Sequence, residues 1–277
     1  MSFVSTIRAG LSYTAYCGSA FCLWQVPLVW QQQEDALRSG PEAWRDLLRD
    51  ALVVVDAGHG GVDGGTQGHG VLEKRCTLEI AKRVEEQILR QGLRTIMTRR
   101  DDSYVSLEER SAVANRKGAS LFVSIHLNAD ATSGETAGLE TYYSSRKRLG
   151  DLSRLRVQFD LPPERAFKDQ RSQRLARKVQ SAICQATGSA DRQARDSNYL
   201  VVMQSECPAV LIECGYLTNA DEARRLQDPA YQEKLASAVA VTVKNFLLAA
   251  RLNPRRGIVL DSVVEAAPSG VLSSGNP

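Results

Sequence analysis

The segment ALVVVDAG at residues 51–58 is the strongest constraint on the fold. It is β-branched through its centre, apolar on both faces and bounded by glycine. Such a run reads as a strand covered on both sides, the kind that parallel sheets are made from. Parallel neighbours need helical crossovers, and the following sequence supplies them. CTLEIAKRVEEQILRQG at 76–92 places Leu78, Ala81, Val84 and Ile88 at helical spacing, with Gly92 to end the helix. LRTIMTR at 93–99 reads as the next strand. SLEERSAVANRKG at 106–118 predicts a helix capped by Ser106, with Glu109 three residues on. SLFVSIHLNA (120–129) and GLETYYSS (138–145) read as strands, 170–188 as a helix, and NYLVVMQ and PAVLIECG as two more strands. A long helix from about Tyr231 to Ala250 follows. The expected fold is α/β: a central, mostly parallel mixed sheet of about six strands, flanked by helices on both faces. Functional sites in such sheets form at the carboxyl ends of strands.

The domain plan has four parts. In residues 1–30, Arg8 is the only charge before Glu34 and an interrupted apolar run ends in AFCLWQVPLVW, which predicts an export signal or weak membrane anchor. Residues 31–50 are a polar helical connector, 51–250 the main folded domain, with 146–168 a charged loop inserted in it, and 251–277 a tail expected to be disordered. The net charge of +3 is too small, and too lacking in aromatic-interleaved basic strips, to indicate nucleic acid. Six cysteines form no CxxC pair, which argues against a structural zinc knuckle and favours free thiols.

Three segments carry chemistry. DAGHGGVDGGTQGHGVLEKR at 56–75 begins where a strand stops. It fails the dinucleotide fingerprint at Asp63 and lacks the GK[ST] of a phosphate loop. What remains is His59 in a glycine loop at a strand end, and Glu73 near the start of the next helix. The second segment, SIHLNA, puts His126 at the end of another strand. Two imidazoles and one carboxylate suit Zn²⁺ with a fourth position open to water. The ligands are dispersed rather than set as HExxH. The third, PAVLIECGYLTN at 208–219, places Glu213 inside an apolar strand. Burial there raises a carboxyl pKa and suits proton transfer near neutrality; a Glu213 turned outward is the alternative. Asn128 stands beside His126, either to contact substrate or to brace a loop. His69, between glycines, reads as an exposed loop residue.

In that order, VVVDAGHGG, GxLEKR, SIHLNA and PAVLIECGYLTN resemble the zinc-dependent N-acetylmuramoyl-L-alanine amidases over roughly residues 51–250. TRRDD, the ERSAVAN run and DRQARDSNYLVV are similar to that family as well. The resemblance implies one Zn²⁺ on His59, Glu73 and His126, with Glu213 as the catalytic glutamate. It implies hydrolysis of the amide between N-acetylmuramic acid and L-alanine of peptidoglycan, in cell-wall remodelling or daughter-cell separation. The location it implies is periplasmic or otherwise extracytoplasmic. Three features depart from the family: Gly64 rather than Pro after Asp63, Cys214 beside the proposed base, and the insert. Some members keep a plug helix in such an insert until a protein activator binds; residues 146–168 show no amphipathic plug pattern. Competing readings are a zinc carboxypeptidase or endopeptidase acting on the stem peptide, an inactive wall-binding module, and a Cys214 nucleophile.

Overall fold

A computed structural model describes residues 40–145 and 170–252. The proposed export segment, the insert, nearly all of the tail and the first part of the connector, 31–39, lie outside those residues.

The chain runs α1 (Gly40–Leu48), β1 (Leu52–Ala57), β2 (Gln67–Gly68), β3 (Val71–Leu72), α2 (Glu73–Arg90), β4 (Arg94–Met97), α3 (Leu107–Arg116), β5 (Leu121–Asn128) and β6 (Leu139–Tyr143). It continues through α4 (Gln170–Thr187), β7 (Asp191–Asp196), α5 (Leu200–Met203), β8 (Ala209–Tyr216), α6 (Ala220–Leu226) and α7 (Pro229–Leu252). Six strands form one sheet in the order β4-β1-β5-β8-β6-β7, and β2 and β3 form a small separate hairpin. The pairs β4–β1, β1–β5 and β5–β8 are parallel; β6 runs antiparallel to β8 and parallel to β7. The α/β sheet expected from the sequence is therefore present, with one reversal at β6.

Strand alternation divides the sheet into two chemically different faces. Val53, Val55 and Ala57 of β1, Val123 and Ile125 of β5, and Val210 and Ile212 of β8 pack into a core with α2, α4 and α7. Val54, Phe122, Ala209 and Leu211 face the other way, against α3 and α5. On this second face the strands turn polar at their carboxyl ends: Asp56 and Ser124 are fully buried there, and His126 and Glu213 follow. The smaller core under α3 and α5 leaves that corner open for a site.

Two local expectations hold in detail. Ser106 accepts the Glu109 backbone N–H at the start of α3, and Gly92 ends α2 with φ at 79°. One does not. NYLVVMQ is not a strand: Leu200–Met203 is a helical turn that buries Val201, Val202 and Met203. An apolar run of four residues fits a buried strand and a buried helical turn equally well. The sixth strand is instead Asp191–Asp196, polar because it lies on the sheet edge, with Ala194 alone turned towards the large core.

Candidate metal centre

The site is built on the carboxyl ends of β1, β5 and β8. His59 lies two residues past β1 with φ at 61°, a backbone state uncommon for a residue with a Cβ. This turns its ring back over the sheet edge. Asp63 places both carboxylate oxygens 2.9 Å from His59 Nδ1. A protonated Nδ1 donating to Asp63 leaves Nε2 to face inward, 3.0 Å from Glu73 Oε1.

Glu73 opens α2, where the helix N-terminus favours negative charge. Its carboxylate is buried and oriented by two backbone donors: Thr66 N–H to Oε2 at 2.8 Å and Leu127 N–H to Oε1 at 3.0 Å. Burial alone would raise its pKa, but hydrogen bonds and opposing charge from His126 and His59 hold it at about 2. His126 Nδ1 lies 3.2 Å from the same oxygen. The two rings stand edge to face, 4.9 Å between centroids. Burial works against charge on His59, but the carboxylates of Glu73 and Asp63 outweigh it and raise its pKa. The same field favours a cation beside the rings.

One ligand atom from each of His59, Glu73 and His126 falls within 4.8 Å of the other two. Two nitrogens and an oxygen at this spacing fit a single divalent ion. Two glycines make the approach possible. A Cβ on Gly58 would lie 2.4–2.7 Å from His126 ring atoms, and one on Gly65 would lie 2.5 Å from Glu73 Oε2.

Glu213 pairs in register with His126 on β5 and with Glu140 on β6. It is 8% exposed, and its Oε2 has no hydrogen-bond partner among the described residues. Burial chiefly, with the negative charges of Glu73 and Glu140, pushes its pKa up to about 7; His126 and His59 pull the other way. A buried, unsatisfied carboxyl that titrates near neutrality is suited to hold a proton during a reaction.

Asn128 is occupied within the protein. Its Nδ2 donates to Glu140 at 3.0 Å and its Oδ1 accepts the Ala129 N–H at 2.8 Å. His69 is exposed, close to the Thr218 carbonyl, and outside the ligand group. Cys214 is buried, and burial drives its thiol pKa well above the usual range, opposite to what a nucleophile needs. Cys76, Cys184 and Cys214 are free thiols.

Four side chains that sequence reasoning left without a role shape the site. Arg110 is buried and donates to Asp56 Oδ1 (2.7 Å), the Ala57 carbonyl (2.7 Å) and the His59 carbonyl (2.8 Å). Arg99 donates to the Ala57, Gly58 and Lys74 carbonyls, tying the β1 loop to the start of α2. Asp63 orients His59, and Glu140 holds Asn128. TRRDD and ERSAVAN contain the two arginines, but nothing in a linear sequence shows that their guanidinium groups end on loop carbonyls.

Fold and site together define an α/β protein with a His–Glu–His group able to hold a metal ion. The chain belongs to the N-acetylmuramoyl-L-alanine amidase family, whose sequence pattern matches residues 53–245. It is 33% identical over 187 residues to the N-acetylmuramoyl-L-alanine amidase LytC of Bacillus subtilis, covering 68% of this chain and 34% of LytC. The crystal structure of N-acetylmuramoyl-L-alanine amidase from Clostridium difficile 630 superposes with a TM-score of 0.61 at 33% identity, covering 72% of this chain and 97% of that one. The CwlD amidase from Clostridioides difficile, solved in complex with the GerS lipoprotein, has a TM-score of 0.59 at 29% identity, covering 72% of this chain and 99% of CwlD.

Proposed function

We propose that this protein is a zinc-dependent N-acetylmuramoyl-L-alanine amidase that cleaves the amide between N-acetylmuramic acid and the L-alanine of peptidoglycan stem peptides. The observation that carries this is the convergence of His59, Glu73 and His126 beside a buried carboxyl, Glu213, with an unpartnered oxygen. Family membership supplies the bond; the geometry supplies a way to break it.

His59, Glu73 and His126 would hold the ion. Bound there, zinc supplies polarisation of the scissile carbonyl and makes water acidic near neutral pH. Glu213 Oε2 takes a proton from the attacking water as its oxygen adds to the carbonyl carbon. Glu213 then passes that proton to the amide nitrogen as the C–N bond breaks, releasing L-alanine as an amine and the lactyl group as a carboxylic acid, whose remaining proton passes to the amine or to solvent. Burial makes the Glu213 carboxyl more basic than an ordinary carboxylate, which suits it to take and then return a proton. Asp63 keeps the His59 ring aimed, and Arg99 and Arg110 keep the loop beneath it in place.

Peptidoglycan lies outside the cytoplasm, so the reaction is extracytoplasmic. We place it in the periplasm or its equivalent, in cell-wall remodelling or daughter-cell separation, with residues 1–30 as export signal or membrane anchor and 51–250 as the catalytic unit. A protein partner that controls activity is consistent with the complex seen for CwlD.

The test joins metal analysis to product analysis on the full chain. Purified protein should contain about one zinc per chain and release intact stem peptides beginning with L-alanine, as read by mass spectrometry. His126→Ala should lose both metal and release. Peptides shortened at the other end would show a carboxypeptidase instead, and full zinc retention in His126→Ala would overturn the ligand assignment.

A further inference from the structure

The edge strand β7 contains an irregularity that points both of its arginines the same way. Arg192 and Arg195 are three residues apart, so in a regular strand they would face opposite sides of the sheet. Between Leu139↔Asp191 and Thr141↔Ala194, however, β7 advances three residues while β6 advances two. Gln193 takes up the extra residue with φ at 78°. Bulges of this kind commonly re-aim side chains beside active sites, and a non-glycine residue held in that region is strained.

Both guanidinium groups end on one carboxylate. Arg192 Nε donates to Glu140 Oε1 at 3.0 Å, and Arg195 Nη2 lies 3.5 Å from the same atom. Glu140 pairs in register with Glu213, so the two cations stand over β6, about one strand spacing, ~4.8 Å, from the Glu213 strand. Glu140 is already saturated, since its Oε2 also accepts from Asn128 and Tyr142. Two guanidinium groups thus converge on one buried carboxylate. The other β7 carboxylates are engaged elsewhere: Asp191 with Gln180 of α4, Asp196 with Ser145. Arg195 is about half exposed and Arg192 about one-third, so both present donors to solvent. Arg192 also stacks over the Tyr216 ring, 5.1 Å from its centroid, and Tyr142 and Tyr199 pack edge to face beside the row.

We propose that Arg192 and Arg195 form a carboxylate-binding subsite that selects a free acidic group on the peptide leaving group, one or two residues from the scissile amide. Glu140 is the positioning residue: it takes Arg192 Nε and Arg195 Nη2, the Arg192 carbonyl accepts from Arg195 Nε, and the remaining Nη–H groups are left to meet a carboxylate. The subsite rests on the amidase reading above and deepens it: the enzyme reads the peptide by charge as well as by the bond it cuts.

The test compares two synthetic muramyl peptides that differ only in whether the second residue carries a free carboxylate or the corresponding primary amide. The wild-type holoenzyme should favour the acid by about tenfold to a hundredfold in kcat/KM, mostly through KM. Arg195→Gln, at a half-exposed position, should bring that ratio close to one, and Arg195→Lys should restore part of it. Titration calorimetry with N-acetyl-L-alanyl-D-glutamate and its amide reads binding alone. The acid should bind measurably tighter than the amide, and Arg195→Gln should abolish the difference. Equal kcat/KM for both substrates, or an unchanged ratio in Arg195→Gln, overturns the subsite. Turnover of neither substrate overturns the amidase reading instead, and calorimetry then still decides the subsite on its own.

Discussion

Arg110 and Asp56 form an ion pair 2.7 Å long with side chains 2% and 0% exposed, directly beneath the loop that presents His59. Its purpose is read from its partners: Arg110 also grips the Ala57 and His59 carbonyls, and Asp56 accepts the Thr98 and Ser124 hydroxyls at 2.6 Å each. Removing Arg110 leaves a buried charge without its counter-ion. Arg110→Ala should therefore lose about 3–5 kcal/mol of stability by urea unfolding.

The same pair sets part of the acid response. Burial alone would raise the Asp56 pKa, but Arg110 and the two hydroxyls hold it below the ordinary 3.8. A carboxyl depressed by folding stabilises the native state above its unfolded pKa, and that stabilisation fades as pH falls through the folded value. The stability gap between wild type and Asp56→Asn should accordingly narrow as pH drops below 3.8. A gap that stays constant to pH 2 would show that Asp56 is not held as described.

Glu213 has the opposite sign. Its folded pKa, about 7, lies above the ordinary 4.5, so the native state holds its proton more tightly than the unfolded chain. The resulting stabilisation is complete below 4.5 and is lost as pH rises through about 7. In metal-stripped protein, Glu213→Gln should match wild type near pH 4 and exceed it at pH 8 by on the order of 3 kcal/mol. In the holoenzyme the same substitution should lower kcat by roughly 10²- to 10⁴-fold with zinc content intact. A small change in kcat would move the proton-carrying role to another group.

Asp63 is expected to act through His59 rather than on substrate. Asp63→Ala removes both 2.9 Å contacts to Nδ1 and frees the ring to rotate. Competition titration with a chromogenic chelator should show zinc affinity weakened about 10- to 100-fold, with the fold intact by circular dichroism. Unaltered affinity would mean that the β1 loop alone aims the ring.

Gly58 gives a steric test of the same site. Its added methyl would meet the His126 ring at 2.4–2.7 Å, closer than atoms can pack. Gly58→Ala should displace that ring, so metal content and peptide release should fall together. Full zinc loading in Gly58→Ala would show that the ring has another seat.

Much of this protein was legible before any coordinates. The covered strand at β1, the amphipathic α2 and the Ser106 cap follow from period, burial and local hydrogen bonding, which short stretches of chain encode by themselves. His59 and His126 stood out at the ends of apolar strands and Glu213 inside one, because polar residues need a reason to be there, and Glu73 because it follows the His59 loop at a helix start. What sequence could not decide was anything fixed by residues far apart in the chain. Whether LVVM at 200–203 becomes strand or helical turn depends on the neighbour that buries it. Asn128 carries the same letters whether it meets substrate or, as here, Glu140. Arg110 pairs with Asp56, 54 positions away, and Arg192 shares a face with Arg195 only because of a bulge set against β6. Periodicity is a property of the chain; proximity is a property of the fold, and the electrostatics of this site arise from proximity.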